Sequence, residues 1–234
     1  MCFTETQSYV NTAILFTTAA YLGHQGLWRL SLPLAFLGLK DWLQALLYRF
    51  RRQKETNNKL TILSWAHLSF QPLFVNMFFS HFSPAYSSYY TYIMLICFVF
   101  GVYNLTVLDD LDIQNDPDCV DYNKASDLCS KQTQSYQGKY HIAYRFRTDR
   151  QQYTWYGLLY PILSFLPCLV TTSWPIGIGW LFFVGCLYVI GYLNKLGTGE
   201  IASMWCFLSI IFALPIALLH TPIEKLLQTK MYTN

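Results

Sequence analysis

Seven long apolar stretches constrain this chain more than any other feature. They run over about 9–27, 29–49, 60–80, 86–108, 153–172, 174–194 and 200–220. A helix needs roughly 20 mostly apolar residues to cross the hydrocarbon core of a bilayer. In that medium the backbone must satisfy its own hydrogen bonds, which leaves helices or closed barrels. The stretches are continuous and lack the alternation of a barrel strand. Only 12% of the residues are charged, against roughly 25% in soluble domains. The sequence therefore predicts an all-α, polytopic membrane protein with about seven transmembrane helices, built as one transmembrane helical domain over 1–234. The lipid bilayer is its first partner, and protein partners within the membrane fit the many aromatic residues.

Charge placement predicts an orientation. The N-terminus and the linkers after the second, fourth and sixth stretches share one side. Those linkers hold Arg49, Arg51, Arg52, Lys54 and Lys59; then Lys124, Lys131, Lys139, Arg145, Arg147 and Arg150; then Lys195. The opposite side holds Arg29, Lys225 and Lys230. Positive charge stays inside, so the N-terminus is expected inside and the C-terminus outside. The net charge of +3 makes no case for nucleic acid. Residues 1–8 lack the basic start of a cleavable signal, and retention of the N-terminus is expected. The sizeable polar segment, 109–152, is expected to be a solvated cytosolic loop, acidic in its first part and basic in its second. Thr221-Pro222-Ile223-Glu224 has a capping-box pattern, which predicts a short amphipathic helix at about 222–230. Trp28, Trp65, Trp155 and Trp174 fall near the expected interfaces and suit aromatic belts.

Ionisable residues at membrane depth are costly and are the first place to look for function. The second stretch carries Lys40, Asp41 and Gln44. Lys40 and Gln44 share a helix face, and Asp41 lies about 100° around it. The third carries His67 and Gln71, followed by Pro72. The fourth carries Asn104 near its end, and the last opens with Glu200 and Ser203. With a rise of about 1.5 Å per residue, these groups gather in the inner half, Gln71 near the middle. A polar cavity open to the cytosol is the expectation, with a small ligand of unknown identity. The alternative is that Gln44, Gln71, Asn104 and Ser203 simply join helices, and that Glu200 is a helix N-terminal charge favoured by the dipole.

Several chemistries find no support. The last stretch has no Lys, which excludes an ordinary retinal protein. Its one His, His220, lies at the outer end, unlike the His pair of membrane zinc hydrolases. Cys119, Cys129 and His141 are weak candidates for zinc, because their spacing fits no common finger. No cofactor is predicted, and the seven scattered Cys do not form a disulfide framework.

Five short motifs are spread along the chain: Met1-Cys2-Phe3-Thr4, Lys40 through Gln44-Ala45 to Tyr48, Gln71-Pro72, the run Gly138 to Tyr144, and Ser203-Met204-Trp205-Cys206-Phe207. With these the chain resembles an uncharacterised seven-transmembrane family that has an N-terminal Met-Cys-Phe or Met-Cys-Trp signature and Ser-x-Trp-Cys-Phe in its last helix. That family has Glu where this chain has Gln44. The resemblance implies the architecture and carries no activity with it. Three functions remain open: a translocator or binder of small solutes or ions, a structural subunit of a larger membrane complex, and a membrane-embedded enzyme acting on a lipid or quinone through Cys206, His67 or His141.

Overall fold

The computed structural model describes residues 4–106, 108, 133–146, 150–171 (150–158 by backbone alone) and 174–196. Of the last stretch it describes Glu200, Ile201, Ser203, Met204, Ile210, Leu214 and Pro215. The fold is mostly helical. Six helices are described: α1 (Glu5–His24), α2 (Trp28–Phe50), α3 (Lys54–His81), α4 (Ser87–Thr106), α5 (Arg150–Leu169) and α6 (Trp174–Leu193). Each of the first six apolar stretches thus forms a helix. The acidic run 109–121, Cys119, Cys129, Cys206, the segment 222–230 and most of 200–220 lie outside the described residues.

Three of the helices, α2, α4 and α6, are long and apolar enough to cross a membrane. The others are long but diluted with polar residues: Asn11, Thr12, Thr17 and Thr18 in α1; Asn57, Asn58, Ser64, His67 and Gln71 in α3.

Local chemistry sets the helix ends. Thr4 caps α1 in a capping box: Gln7 N donates to Thr4 Oγ1 at 3.3 Å, and Thr4 N donates to Gln7 Oε1 at 3.1 Å. Gly26 adopts a φ of +76° in the turn that leads into α2, a conformation that favours glycine. The helices alternate in direction. Ser31 Oγ donates to Ala19 O at 2.7 Å across α1 and α2. Trp65 Nε1 donates to Asn104 O at 2.9 Å across α3 and α4. Trp65 is buried and belongs to this junction instead of to an interfacial belt. Its indole N–H needs an acceptor when buried, and the end of α4 supplies one.

Asn76 shows how the bundle handles a broken ladder. Pro167 in α5 has no N–H, so the carbonyl four residues earlier, Leu163 O, loses its helical donor. Asn76 Nδ2 of α3 donates to that carbonyl at 2.7 Å, and to Pro72 O at 2.8 Å. One amide thus repairs α5 and fixes α3 against it. α3 itself continues through Pro72.

The chain also holds a structure that an all-α reading omits. Within the expected loop 109–152, β1 (Gln134–Gln137) and β2 (Ile142–Arg145) pair antiparallel, Gln134 opposite Arg145 and Gln137 opposite Ile142. Thr133, Ser135, His141, Ile142, Ala143, Tyr144 and Phe146 are buried. This part of the linker packs on the bundle where a solvated loop was expected. Its polar side chains mask the signal: burial is secured by hydrogen bonds to α2, α3 and the last stretch.

Replacing Asn76 with Leu should lower stability in detergent by about 1–3 kcal/mol, the usual cost of an orphaned buried acceptor. Thermal unfolding of the solubilised protein measures it. With Pro167→Ala already present, the loss should shrink, because the restored N–H gives Leu163 O its own donor.

Candidate functional site

The second helix carries the site. Phe36, Lys40, Gln44 and Tyr48 are spaced by four and form one winding stripe. Each meets a partner from elsewhere in the chain. His67 of α3 stacks on Phe36 with ring centroids 3.8 Å apart, and its Nε2 donates to Phe36 O at 2.7 Å. Lys40 Nζ lies 4.2 Å from the centre of the Tyr144 ring on β2. Gln44 and Tyr48 both bond to His141, at the end of the hairpin turn.

The hydrogen-bond directions around His141 follow from chemistry. Gln44 Nε2 donates to Ser203 O and Ser203 Oγ, both at 3.1 Å. A carbonyl only accepts, so the amide nitrogen faces Ser203 and Oε1 faces His141. Its contact to His141 Nε2 at 3.2 Å therefore requires Nε2–H. In the neutral ring Nδ1 is then an acceptor, and Tyr48 donates its hydroxyl proton to it at 2.6 Å. Burial, then the nearby Lys40 charge, pushes His141 down from its ordinary 6.5 to about 3. The imidazole is thus held neutral. Both ring nitrogens are engaged, which leaves neither lone pair facing a metal.

Glu200 seats the turn. Its carboxylate accepts backbone N–H bonds from Lys139 at 3.0 Å, Tyr140 at 2.6 Å and His141 at 2.9 Å. Three successive amides aimed at one carboxylate make a strong charge-assisted contact. The buried Glu200, 4% exposed, is a ligand of the hairpin as well as a charge near the start of the last stretch. Gly138 leaves room for it: a Cβ there would collide with the Glu200 carboxylate and stand 2.6 Å from His141 O. On the other edge Asn57 brackets Ser135, donating to its carbonyl at 3.1 Å and accepting its N–H at 2.8 Å. Arg51 donates to Gln137 Oε1 at 2.6 Å, and Lys139 Nζ to Asn194 O at 3.4 Å. The linkers after α2 and α6 thus meet the hairpin at one end of the bundle.

Two charges at the centre of this site have no hydrogen-bond partner among the described residues. Lys40 and Asp41 are both 0% exposed, and neither Lys40 Nζ nor either Asp41 carboxylate oxygen makes a hydrogen bond there. His67 Nδ1, Ser64 Oγ and the Tyr144 hydroxyl are likewise without one.

Residues 6–231 match a family of unknown function (DUF5765). The chain belongs to that family. No curated protein and no solved structure matches it significantly.

Three of the short segments that carry the resemblance, Lys40 to Tyr48, Gly138 to Tyr144 and the start of Ser203 to Phe207, converge here although up to about 160 residues separate them. The structure brings Lys40, Gln44, Glu200 and Ser203 into one cluster, with Asp41 beside it and His67 of α3 meeting Phe36, one turn away on α2. Gln71 stands apart, lining a small, mostly apolar pocket with Pro33, Phe36, Phe74 and Trp180. Asn104 bonds back to Phe100 O at 2.9 Å within its own helix, a structural role. His67 and His141 bond to different turns of α2, so the imidazoles do not share one reactive centre. Sequence reasoning missed Asn57, met Tyr48, Gly138 and Tyr144 only as parts of the resemblance motifs, and weighed His141 as a metal ligand or as a reactive group of an enzyme. Continuing the four-residue spacing from Lys40 and Gln44 leads to Tyr48, the one usable signal.

Docking of the hairpin should depend on pH. A docked His141 that titrates near 3 and a released one near 6.5 differ in proton binding between those values. There the released form binds the proton, so docking weakens as pH falls below 6.5. Between pH 7.5 and 5.5 the docked fraction relative to the released one should drop about tenfold. Hydrogen exchange over 134–145 measures it, and His141→Gln should flatten the dependence. Gly138→Ala should raise exchange over the same residues at every pH by displacing the Glu200 carboxylate.

Proposed function

We propose that the chain is an integral membrane protein with about seven crossings, N-terminus inside, that binds a small solute or ion in its inner polar site and passes it across the bilayer. The observation that carries this reading is the buried Lys40–Asp41 pair, two ionisable side chains within an apolar helix and without hydrogen-bond partners among the described residues. A purely structural pair would be expected to bond to its neighbours, because orphaned charges in such surroundings are costly. Gln44, Ser203, His141 and Glu200 frame the site with ordered polar contacts. Support for the crossings comes from the membrane-length helices α2, α4 and α6, and support for the orientation from the basic linkers.

A second reading, a subunit of a larger membrane assembly, draws on the outer faces of α4 and α6. Tyr92, Phe182 and Tyr192 are 68%, 75% and 82% exposed. Large aromatic faces suit a neighbouring helix as well as lipid. Native mass measurement in mild detergent separates the readings: a stoichiometric foreign subunit would favour the assembly.

Reconstituted protein should move ions or solute. Current across a planar bilayer and pH change in pyranine-loaded vesicles are the two readouts. Asp41→Ala and His67→Ala should each cut the flux at least about tenfold, the effect of roughly 1.4 kcal/mol, while leaving helicity and elution profile intact. Unchanged flux in both variants would remove the reading.

A further inference from the structure

Among the described residues three formal charges are buried: Lys40, Asp41 and Glu200. Glu200 is satisfied by three backbone amides. The Lys40 ammonium offers three N–H donors and meets no hydrogen-bond acceptor among the described residues. It is covered by the face of the Tyr144 ring at 4.2 Å. A ring face attracts a cation through its quadrupole and accepts no strong hydrogen bond. Asp41 follows Lys40 in the chain, yet it lies about 100° around the helix and makes no hydrogen bond to it.

The covering ring belongs to the hairpin. Strands of four residues in a two-stranded sheet do not hold themselves. The position of Tyr144 therefore depends on the seat: Glu200 under the turn, Asn57 along β1, and Gln44 with Tyr48 at His141. If the hairpin leaves that seat, Lys40 loses its cover on the side where basic residues collect. Arg51 and Lys139 bond at this end, and Arg145 lies 4.4 Å over the Tyr136 ring. Such a rim draws anions inward.

We infer that Lys40 binds a small monoanion, such as acetate or chloride, and that the 134–145 hairpin covers this site, its Tyr144 ring standing where the anion would meet the ammonium. The inference rests on the inner polar site being a solute site, and it requires binding without requiring transport. An anion would give the ammonium the charge-assisted hydrogen bond that the ring withholds. Its apparent affinity is reduced by the fraction of time the hairpin stays docked. Release of the hairpin should therefore strengthen binding.

Equilibrium binding of radiolabelled acetate to the full chain in nanodiscs of zwitterionic lipid tests this, with unlabelled chloride as competitor. The wild type should bind about one acetate per chain saturably, and chloride should displace it. Gly138→Ala and Tyr144→Leu, which loosen or remove the cover, should tighten apparent binding tenfold or more; Tyr144→Phe, which keeps the ring, should not. Lys40→Met should abolish binding, and Lys40→Arg, which keeps the charge and guards against misfolding of the first variant, should retain it. Binding unchanged in Lys40→Met, or no binding in the wild type and both uncovering variants, overturns the inference. So does loss of acetate binding on adding phosphatidylglycerol, which would assign the ammonium to a lipid phosphate. Acetate binding without flux leaves the inference standing and fails the transport reading; flux without acetate binding does the reverse.

Discussion

The Glu200 carboxylate and the three amides it receives from Lys139, Tyr140 and His141 hold the central part of this structure together. Backbone N–H groups buried in a bundle of low polarity must find acceptors. The hairpin turn points three of them the same way, and one buried carboxylate answers all three. Once the turn is fixed, His141 can reach Gln44 and Tyr48, and Tyr144 can lie over Lys40. The stripe on α2, the hairpin and the start of the last stretch become one unit. Without the carboxylate the turn would face an uncompensated desolvation cost, and the ordering of the imidazole would go with it.

Part of this was legible in the sequence. The first six apolar runs located the described helices to within about six residues, α3 starting earliest relative to its run, because hydrophobic length leaves little freedom. Lys40 and Gln44 were placed on one face from spacing alone, and the structure keeps them there. His141 and Tyr144 were not legible as partners, since their contacts cross 93 to 104 positions of chain and no local pattern encodes such a distance. The run Gln134 to Arg145 reads as polar, and polarity ordinarily marks a solvated loop. Here the polar groups are the means of burial: Asn57 takes the place of a third strand for Ser135. Glu200 read as a helix-end charge because the sequence shows what a residue carries and hides what approaches it. The hairpin that packs against those residues was likewise counted as part of the solvent-facing linker.

Asn76 and Pro167 illustrate the same rule on the opposite end of the scale. A proline within a helix is a defect when the helix is considered alone. Beside α3 it becomes a docking point, since the carbonyl that it frees receives the Asn76 amide. Pairs of this kind give an apolar bundle directional contacts that packing alone does not provide, and interhelical polar contacts in a membrane are usually worth on the order of 1 kcal/mol. The contrast with Lys40 and Asp41 is informative. The Asn76 amide nitrogen meets two carbonyls, whereas Lys40 Nζ and both Asp41 carboxylate oxygens meet no hydrogen-bond partner among the described residues.

The hairpin precedes the residue that anchors it by about 60 positions. During synthesis its turn emerges while Glu200 and Ser203 are still unmade. The three amides then have only water for company until the final stretch arrives. The seat of the hairpin is thus completed by residues from the far end of the chain, and a truncation before Glu200 would leave its three amides without their acceptor.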